Sequence, residues 1–340
     1  MELAETVDSS LWRLGDSGFP VFISHSREGA EVLTDGRFVG LQFRNRVTQA
    51  LETALQQLLT VDGCVRDALR KPGTLTILRG GLNFGLNDAV ERAAGVPPTA
   101  SFMTSQRTVV GGRAQISDDS YRRFNLNDAK CLVIGDIAAT GMTIVNALSR
   151  LVFESHEKED LEVVIVTIGT RRFIDRLAAF MDSPDGLVLL GRGWKFSVVF
   201  LEAAFGVYTG PGTDLGRLPL TDFVRAGAVS SKPFIELSAS DPTSLLERCT
   251  IYDGGVRGFE PVDHLSGIES YWHRLRELSL AREGGFEKFL EERGLYSPPV
   301  SSDKRLKEVE ALIPNKNPYP SLSIADWADL VERRASETRL

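Results

Sequence analysis

The chain has 340 residues, 42% hydrophobic and 25% charged, with 31 Gly and 15 Pro. That make-up excludes wholesale disorder and fibrous repeats. Lys and Arg number 39 against 46 Asp and Glu, for a net charge of −7, so no overall basic footprint for nucleic acid exists, although a local pocket for a small anion is compatible with it.

Three cysteines, Cys64, Cys131 and Cys249, are far apart and odd in number. They suggest neither a disulfide framework nor zinc spacing. The first ten residues, MELAETVDSS, are acidic and lack an apolar signal core. The apolar run at 163–166 is far too short to span a bilayer. These features predict a soluble, cytoplasmic protein with no membrane or nucleic-acid partner.

In chain order, residues 21–24 (VFIS) read as a strand and 31–33 (EVL) as another, with Asp35-Gly36 marking a turn. Over 44–60, Val47, Leu51, Ala54, Leu55 and Leu58 recur at helical spacing. Lys71-Pro72-Gly73 then reads as a break. After it, strands and helices alternate. Strands are predicted at 74–78, 98–103, 131–134, 162–168 and 196–201, and helices at 87–94, 141–153 and 171–181. The strand at 131–134 is expected to end at Gly135-Asp136.

Apolar strands alternating with helices predict an α/β fold with a doubly wound parallel sheet. The polar stretch between Gln106 and Asn125 carries Gly111-Gly112, which suggests a hairpin projecting from the sheet as a flap. Beyond Gly210 the alternation is lost. Residues 265–293 read as helical, with Ile268, Trp272, Leu275 and Leu278 on one face, and the last 45 residues read as partly loose. The expected division is an N-terminal part (1–73) packing on the core, the core itself (74–210), and a largely helical C-terminal extension (211–340).

The most informative stretch is 131–143, CLVIGDIAATGMT. It is an apolar strand, an acid, and a Thr-Gly-x-Thr turn into a helix. In an open α/β sheet, ligands sit outside the carboxyl ends of strands. Helix N-terminal N–H groups and threonine hydroxyls make an anion cradle there, and the helix dipole adds about 0.3–1 kcal/mol for a charged group. Asp136, at the strand tip, suits sugar hydroxyls or a water around Mg²⁺. Alone, Asp136 would read as a plain turn acid; the Thr-Gly-x-Thr that follows it favours a ligand site. Arg79-Gly80-Gly81 after the strand at 74–78 is a second anion-suited loop. Its glycines let backbone N–H groups approach, and its arginine offers a forked donor.

This stretch resembles the phosphoribosyl-pyrophosphate (PRPP) motif of the type I phosphoribosyltransferases. The resemblance implies that Ala138, Ala139, Thr140, Gly141, Met142 and Thr143 wrap the 5-phosphate. It implies that Asp136 binds a ribose hydroxyl and, directly or through water, Mg²⁺ as the cofactor. Gly135 stands where that motif has its first acid. Arg79-Gly80-Gly81 looks like the family's pyrophosphate loop, with Arg107, Arg113 and Tyr121 as the flap residues that close over pyrophosphate. Gly210-Pro211-Gly212-Thr213-Asp214 is similar to the base-holding segment of uracil phosphoribosyltransferases, which makes Asp214 a base-binding candidate. Glu202, ending the last core strand, either touches a base or caps the strand.

The implied activity is Mg²⁺-dependent transfer of the phosphoribosyl group from PRPP to a nitrogen of a nucleobase-like acceptor, with Asp136 and Arg79 as catalytic residues. The implied partners are those two small molecules and a second copy of the chain in a homodimer. The alternatives are a PRPP- or nucleotide-binding regulator with reduced catalysis, and a structural protein with a chance motif. His25, His156, His264 and His273 read as isolated, none beside a Cys or acid at ligand spacing. A histidine metal site is therefore not expected.

Overall fold

The computed structural model describes residues 3–8, 10–15, 18–78, 80, 84–110, 113–155, 157–207, 223–234, 237, 254–280 and 323–337. In chain order, the first part holds β1 (Leu3–Asp8), β2 (Leu11–Leu14), β3 (Val21–Ser24), α1 (Arg27–Thr34), α2 (Gly40–Val61) and α3 (Gly63–Ala68). The middle holds β4 (Pro72–Leu78), α4 (Leu86–Ala94), β5 (Thr99–Thr104), β6 (Gln106–Val110), β7 (Arg113–Asp118), β8 (Arg122–Arg123) and β9 (Cys131–Ala138). Then follow α5 (Met142–Glu154), β10 (Glu162–Thr170), α6 (Arg171–Met181), α7 (Pro184–Gly191), β11 (Lys195–Val207) and β12 (Phe223–Ser230). The C-terminal helices are α8 (Gly254–Phe259), α9 (Pro261–Leu280) and α10 (Ile324–Glu337).

The strands β3-β11-β10-β9-β4-β5 lie side by side in that order, each parallel to its neighbour. Antiparallel strands finish both edges: β2 and β1 beyond β3, and β8 beyond β5. Helices cover both faces. Ile144, Leu148 and Leu151 of α5 and Phe173 and Leu177 of α6 pack on one face with Leu132, Ile134, Val163 and Ile165. Val47, Leu51, Leu55 and Leu58 of α2 and Val90 of α4 pack on the other with Val133, Val164, Val166 and Val199. Each fully buried leucine contributes about 1.5–3 kcal/mol. This is the doubly wound parallel sheet that alternating apolar strands predict, and β6–β7 forms the expected hairpin as a separate two-stranded sheet.

The structure departs from the sequence reading in several places. Residues 31–33, read as a strand, lie in α1, where the Ser26 hydroxyl accepts from Gly29 N and starts the helix. Pro72-Gly73, read as a break, opens β4; a proline is tolerated there because the first strand residue needs no ladder donor. β9 runs on past Asp136 to Ala138. The helix α7, which the periodicity did not suggest, carries its own start signal, with Ser183 as the cap and Pro184 at the first turn. Within the helix expected at 265–293, Ile268 and Trp272 are buried on α9, and the side chains of Leu275 and Leu278 lie outside the described residues. Within the C-terminal stretch read as partly loose, residues 324–337 are helical.

The extension is fastened to the N-terminal part by Arg257 of α8, 1% exposed. Its guanidinium donates to the carbonyls of Val32 at 2.9 Å, Phe38 at 2.7 Å and Asp35, and lies over the Phe43 ring. His264 of α9 meets Gly36 O beside it, at 3.1 Å. Among the described residues no helix is long and apolar enough to cross a membrane.

Candidate anion-binding cleft at the sheet's carboxyl edge

β4 and β9 are neighbours, but their ladder runs only from Pro72–Cys131 to Leu75–Ile134. Both strands continue beyond it, β4 to Leu78 and β9 to Ala138. Their carboxyl ends therefore splay apart. The following helices go to opposite faces, α4 to one and α5 to the other. This is a topological switch point, where open α/β sheets leave a crevice for a ligand.

The turn after β9 forms the floor of that crevice. Gly141, the N-cap of α5, has φ 68°, and a Cβ there would lie 2.2 Å from a Phe173 ring carbon. Only glycine suits that combination of left-handed backbone and close packing. The helix it starts has no side-chain cap and no acid in its first turn. Its N-terminal N–H groups are thus left for a ligand or water. The Thr140 hydroxyl, at the same turn, is buried with no hydrogen-bond partner among the described residues. An uncapped helix start beside an orphaned hydroxyl fits a phosphate, whose oxygens accept from both.

Two buried threonines of β10 brace this turn from behind. Thr167 Oγ1 donates to Asp136 O at 2.7 Å, and Thr170 Oγ1 donates to Ala139 O. The register had paired Thr167 with Asp136 directly across the strands. Sequence reasoning passed over both, because a threonine in a strand is ordinarily only a strand former.

Asp136 is 6% exposed, and Thr143 Oγ1 donates to its Oδ2 at 3.4 Å. Gly80 passes directly over this carboxylate, where a Cβ would come within 2.7 Å of Oδ1. Gly80 and Asp136, 56 residues apart in sequence numbering (136 − 80), thus meet in the structure. Arg79, Gly81 and Asp214 lie outside the described residues, as do the side chains of Arg107 and Arg113. Their backbones place Arg107 on β6 and Arg113 on β7 of the flap hairpin. Tyr121, half exposed, hydrogen-bonds to Thr104 through its backbone at the flap's base. There Asp119 accepts from Arg150 and Asn146 of α5, tying the hinge to the helix that opens the cradle.

Gly135 faces away from the cleft. A Cβ there would sit 3.2 Å from both Phe84 Cδ1 and Leu86 Cδ1. The position where the resembling motif has its first acid is therefore closed by apolar packing. Among the described residues no group of three or more His, Cys, Asp or Glu could hold a metal.

Farther along the same edge, Glu202 is 0% exposed and has φ 65°. Between Thr167–Phe200 and Gly169–Ala204, β10 advances two residues while β11 advances four. Glu202 sits in that bulge, and its carboxylate turns inward. Oε1 accepts from Ser26 N at 2.7 Å; Oε2 accepts from Ser231 Oγ at 3.0 Å and meets His25 Nδ1 at 2.7 Å. Burial pushes Glu202 above the ordinary carboxylate range, and the bonds from His25, Ser26 and Ser231 pull it back. The same hydrogen bond holds the His25 proton more tightly than in a free histidine. His25, which read as isolated, is thus paired with an acid 177 residues away. Local spacing carries no sign of that contact.

No protein-family model matches the chain, and no curated protein matches it. Among solved structures, the AQ2163 protein of Aquifex aeolicus is similar at 16% identity, TM-score 0.39, over 52% of this chain and 85% of that one. A hypoxanthine phosphoribosyltransferase of Staphylococcus aureus is similar at 19% identity, TM-score 0.25, over 35% and 64%. A hypothetical protein of Neisseria gonorrhoeae with bound ppGpp is similar at 11% identity, TM-score 0.26, over 46% and 80%. Each of these likenesses is below 20% identity and below a TM-score of 0.5.

Proposed function

We propose that the chain is a phosphoribosyltransferase, moving the 5-phosphoribosyl group of PRPP onto a nitrogen of a nucleobase-like acceptor. The observation that carries this reading is the splayed β4–β9 cleft, with an uncapped α5 and an orphaned Thr140 hydroxyl at one end and Gly80 over Asp136 at the other. The 5-phosphate sits on residues 138–143, and pyrophosphate lies toward Arg79, Gly80 and Gly81. Asp136 accepts from a ribose hydroxyl between them. The C1–O bond breaks with its electron pair going to pyrophosphate, a C1–N bond forms, and the acceptor's N–H proton leaves to water. The transition state is oxocarbenium-like, as in other glycosyl chemistry. The chain's share is positioning, anion stabilisation and, through the β6–β7 flap, exclusion of water.

The donor set fits Mg²⁺ as an ion carried in by PRPP, since Asp136 is the acid available at the cleft among the described residues. Asp136 would hold it through water or through the ribose hydroxyls. When bound, the ion supplies charge neutralisation for the departing pyrophosphate.

A second reading, a regulator that binds PRPP without turnover, is favoured by the apolar closure around Gly135. A pyrophosphate-release assay with PRPP, Mg²⁺ and a panel of purines, pyrimidines and pyridine carboxylates separates the two. The transferase reading expects release with at least one acceptor, and expects Asp136→Asn to abolish it while the unfolding temperature stays unchanged. Wild-type turnover in that variant would refute the assignment. Tight PRPP binding without product for every acceptor would favour the regulator.

A further inference from the structure

Resting on the transferase reading, we propose that His25, held by Glu202 and Ser231, is the acceptor-recognition residue, donating through Nε2 to an oxygen of an oxo-substituted heterocycle. Three observations carry it. The first is the direction of the reaction. A group displacing pyrophosphate at C1 enters from the side opposite the one it leaves. With pyrophosphate toward the end of β4, the acceptor enters from the other side of β9, over β10, β11 and β3.

The second is placement. Asp136 lies across from Thr167, and Thr167 from Phe200. Leu201 pairs with Ser24, and His25 is the next residue. Because Phe200 pairs with Ile23, His25 stands two residues, about 7 Å, farther out along the carboxyl edge than Asp136. Across the sheet they are three strand spacings apart, about 14 Å. A ribose and an aromatic ring laid end to end bridge that gap.

The third is how the imidazole is held. Nδ1 is fixed on Glu202, and the Glu202 carboxylate is fixed in turn by Ser26 N and Ser231 Oγ. Nε2 makes no hydrogen bond among the described residues, and the side chain is 24% exposed. A histidine kept only for packing would ordinarily satisfy both nitrogens. One fixed from behind by a carboxylate, with its far nitrogen toward solvent, is a ring oriented for a ligand. The β11 bulge and the left-handed Glu202 bring that carboxylate under His25 and Ser26. The Glu202 hydrogen bond raises the His25 pKa and so favours the ring with a hydrogen on both nitrogens, in which Nε2 donates. The ligand atom that matches this ring is an acceptor, an exocyclic carbonyl oxygen rather than an amino group. In this arrangement Glu202 and Ser231 are positioning residues, and Glu202 itself does not reach the ligand.

The test is steady-state kinetics of pyrophosphate release with hypoxanthine, uracil, adenine and cytosine as acceptors. The wild type is expected to prefer the oxo compounds. His25→Ala should raise the acceptor KM about 10- to 100-fold, the value of a charge-assisted hydrogen bond, and leave the PRPP KM within twofold. His25→Gln, whose amide can donate near the Nε2 position, should recover most of that loss. Glu202→Gln should raise the acceptor KM in the same direction by less. An active wild type whose acceptor KM and kcat are unchanged in His25→Ala overturns the inference and leaves the transferase reading standing. So does a preference for the amino compounds. A wild type that releases pyrophosphate with no acceptor overturns the transferase reading itself, and the recognition role with it.

Discussion

Placing an acid at Gly135 should destabilise the protein rather than add a carboxylate to the cleft. A Cβ at this position would lie 3.2 Å from Phe84 Cδ1 and from Leu86 Cδ1, and 3.3 Å from Phe84 Cβ. These contacts are tighter than ordinary packing, so Gly135→Ala should cost about 1–3 kcal/mol of strain. Gly135→Asp adds a carboxylate among apolar groups that offer no donor. Burial of this kind raises a carboxyl pKa by about 3–5 units, to about 7 or above, so at neutral pH the group must take up a proton to stay buried, at a cost of about 4 kcal/mol. Together the two effects approach the whole stability of an ordinary domain, about 5–15 kcal/mol. Urea unfolding followed by circular dichroism, with both variants beside the wild type, measures the difference. Calorimetric titration with PRPP and Mg²⁺ reports the site. The expected result is a modest loss for Gly135→Ala and a largely unfolded Gly135→Asp. A Gly135→Asp protein as stable as the wild type and binding PRPP more tightly would refute the reasoning, because the carboxylate would then have found the cleft.

Two further predictions concern the fastening of the C-terminal extension. Arg257→Met should cost about 3–5 kcal/mol in the same urea assay, because it leaves the carbonyls of Val32, Asp35 and Phe38 without their buried donor. A loss below 1 kcal/mol would mean that water replaces the guanidinium. Burial, reinforced by the Arg257 charge, pushes His264 down from 6.5 to about 3. Its folded pKa lies below the unfolded one, so the unfolded chain binds the extra proton between those values. Stability should therefore fall as pH drops below 6.5, by about 1.4 kcal/mol per pH unit from this group. Comparing wild type with His264→Gln from pH 7 to pH 4.5 isolates it; identical slopes would sink the assignment.

The parts of the protein that were legible in the sequence are those whose cause is local. The apolar run at 131–134 and the Thr-Gly-x-Thr after it predict a buried strand and an anion-suited helix start, and β9 and α5 are both present. The β6–β7 pairing was legible for the same reason, since its two strands are adjacent in the chain. The three-residue run 31–33 misled because it is too short to show a period, and the Ser26 cap decides for helix. The strands β1 and β2 gave no alternation to read, yet they pair to extend the sheet beyond β3.

The sequence by itself determined the alternation of strands and helices through the core, the doubly wound class and the Gly-and-Thr make-up of the turn after β9, because these depend on backbone preferences and side-chain periodicity over a few residues. Only the tertiary structure decided that β4 and β9 splay to open a cleft, that Phe84 and Leu86 close the space at Gly135, and that His25 meets Glu202. Those facts depend on which strands become neighbours and which charges lose their water. Burial turns a carboxylate that would be solvated in the unfolded chain into one that must find donors. Glu202 found them in Ser26, Ser231 and a histidine 177 residues away.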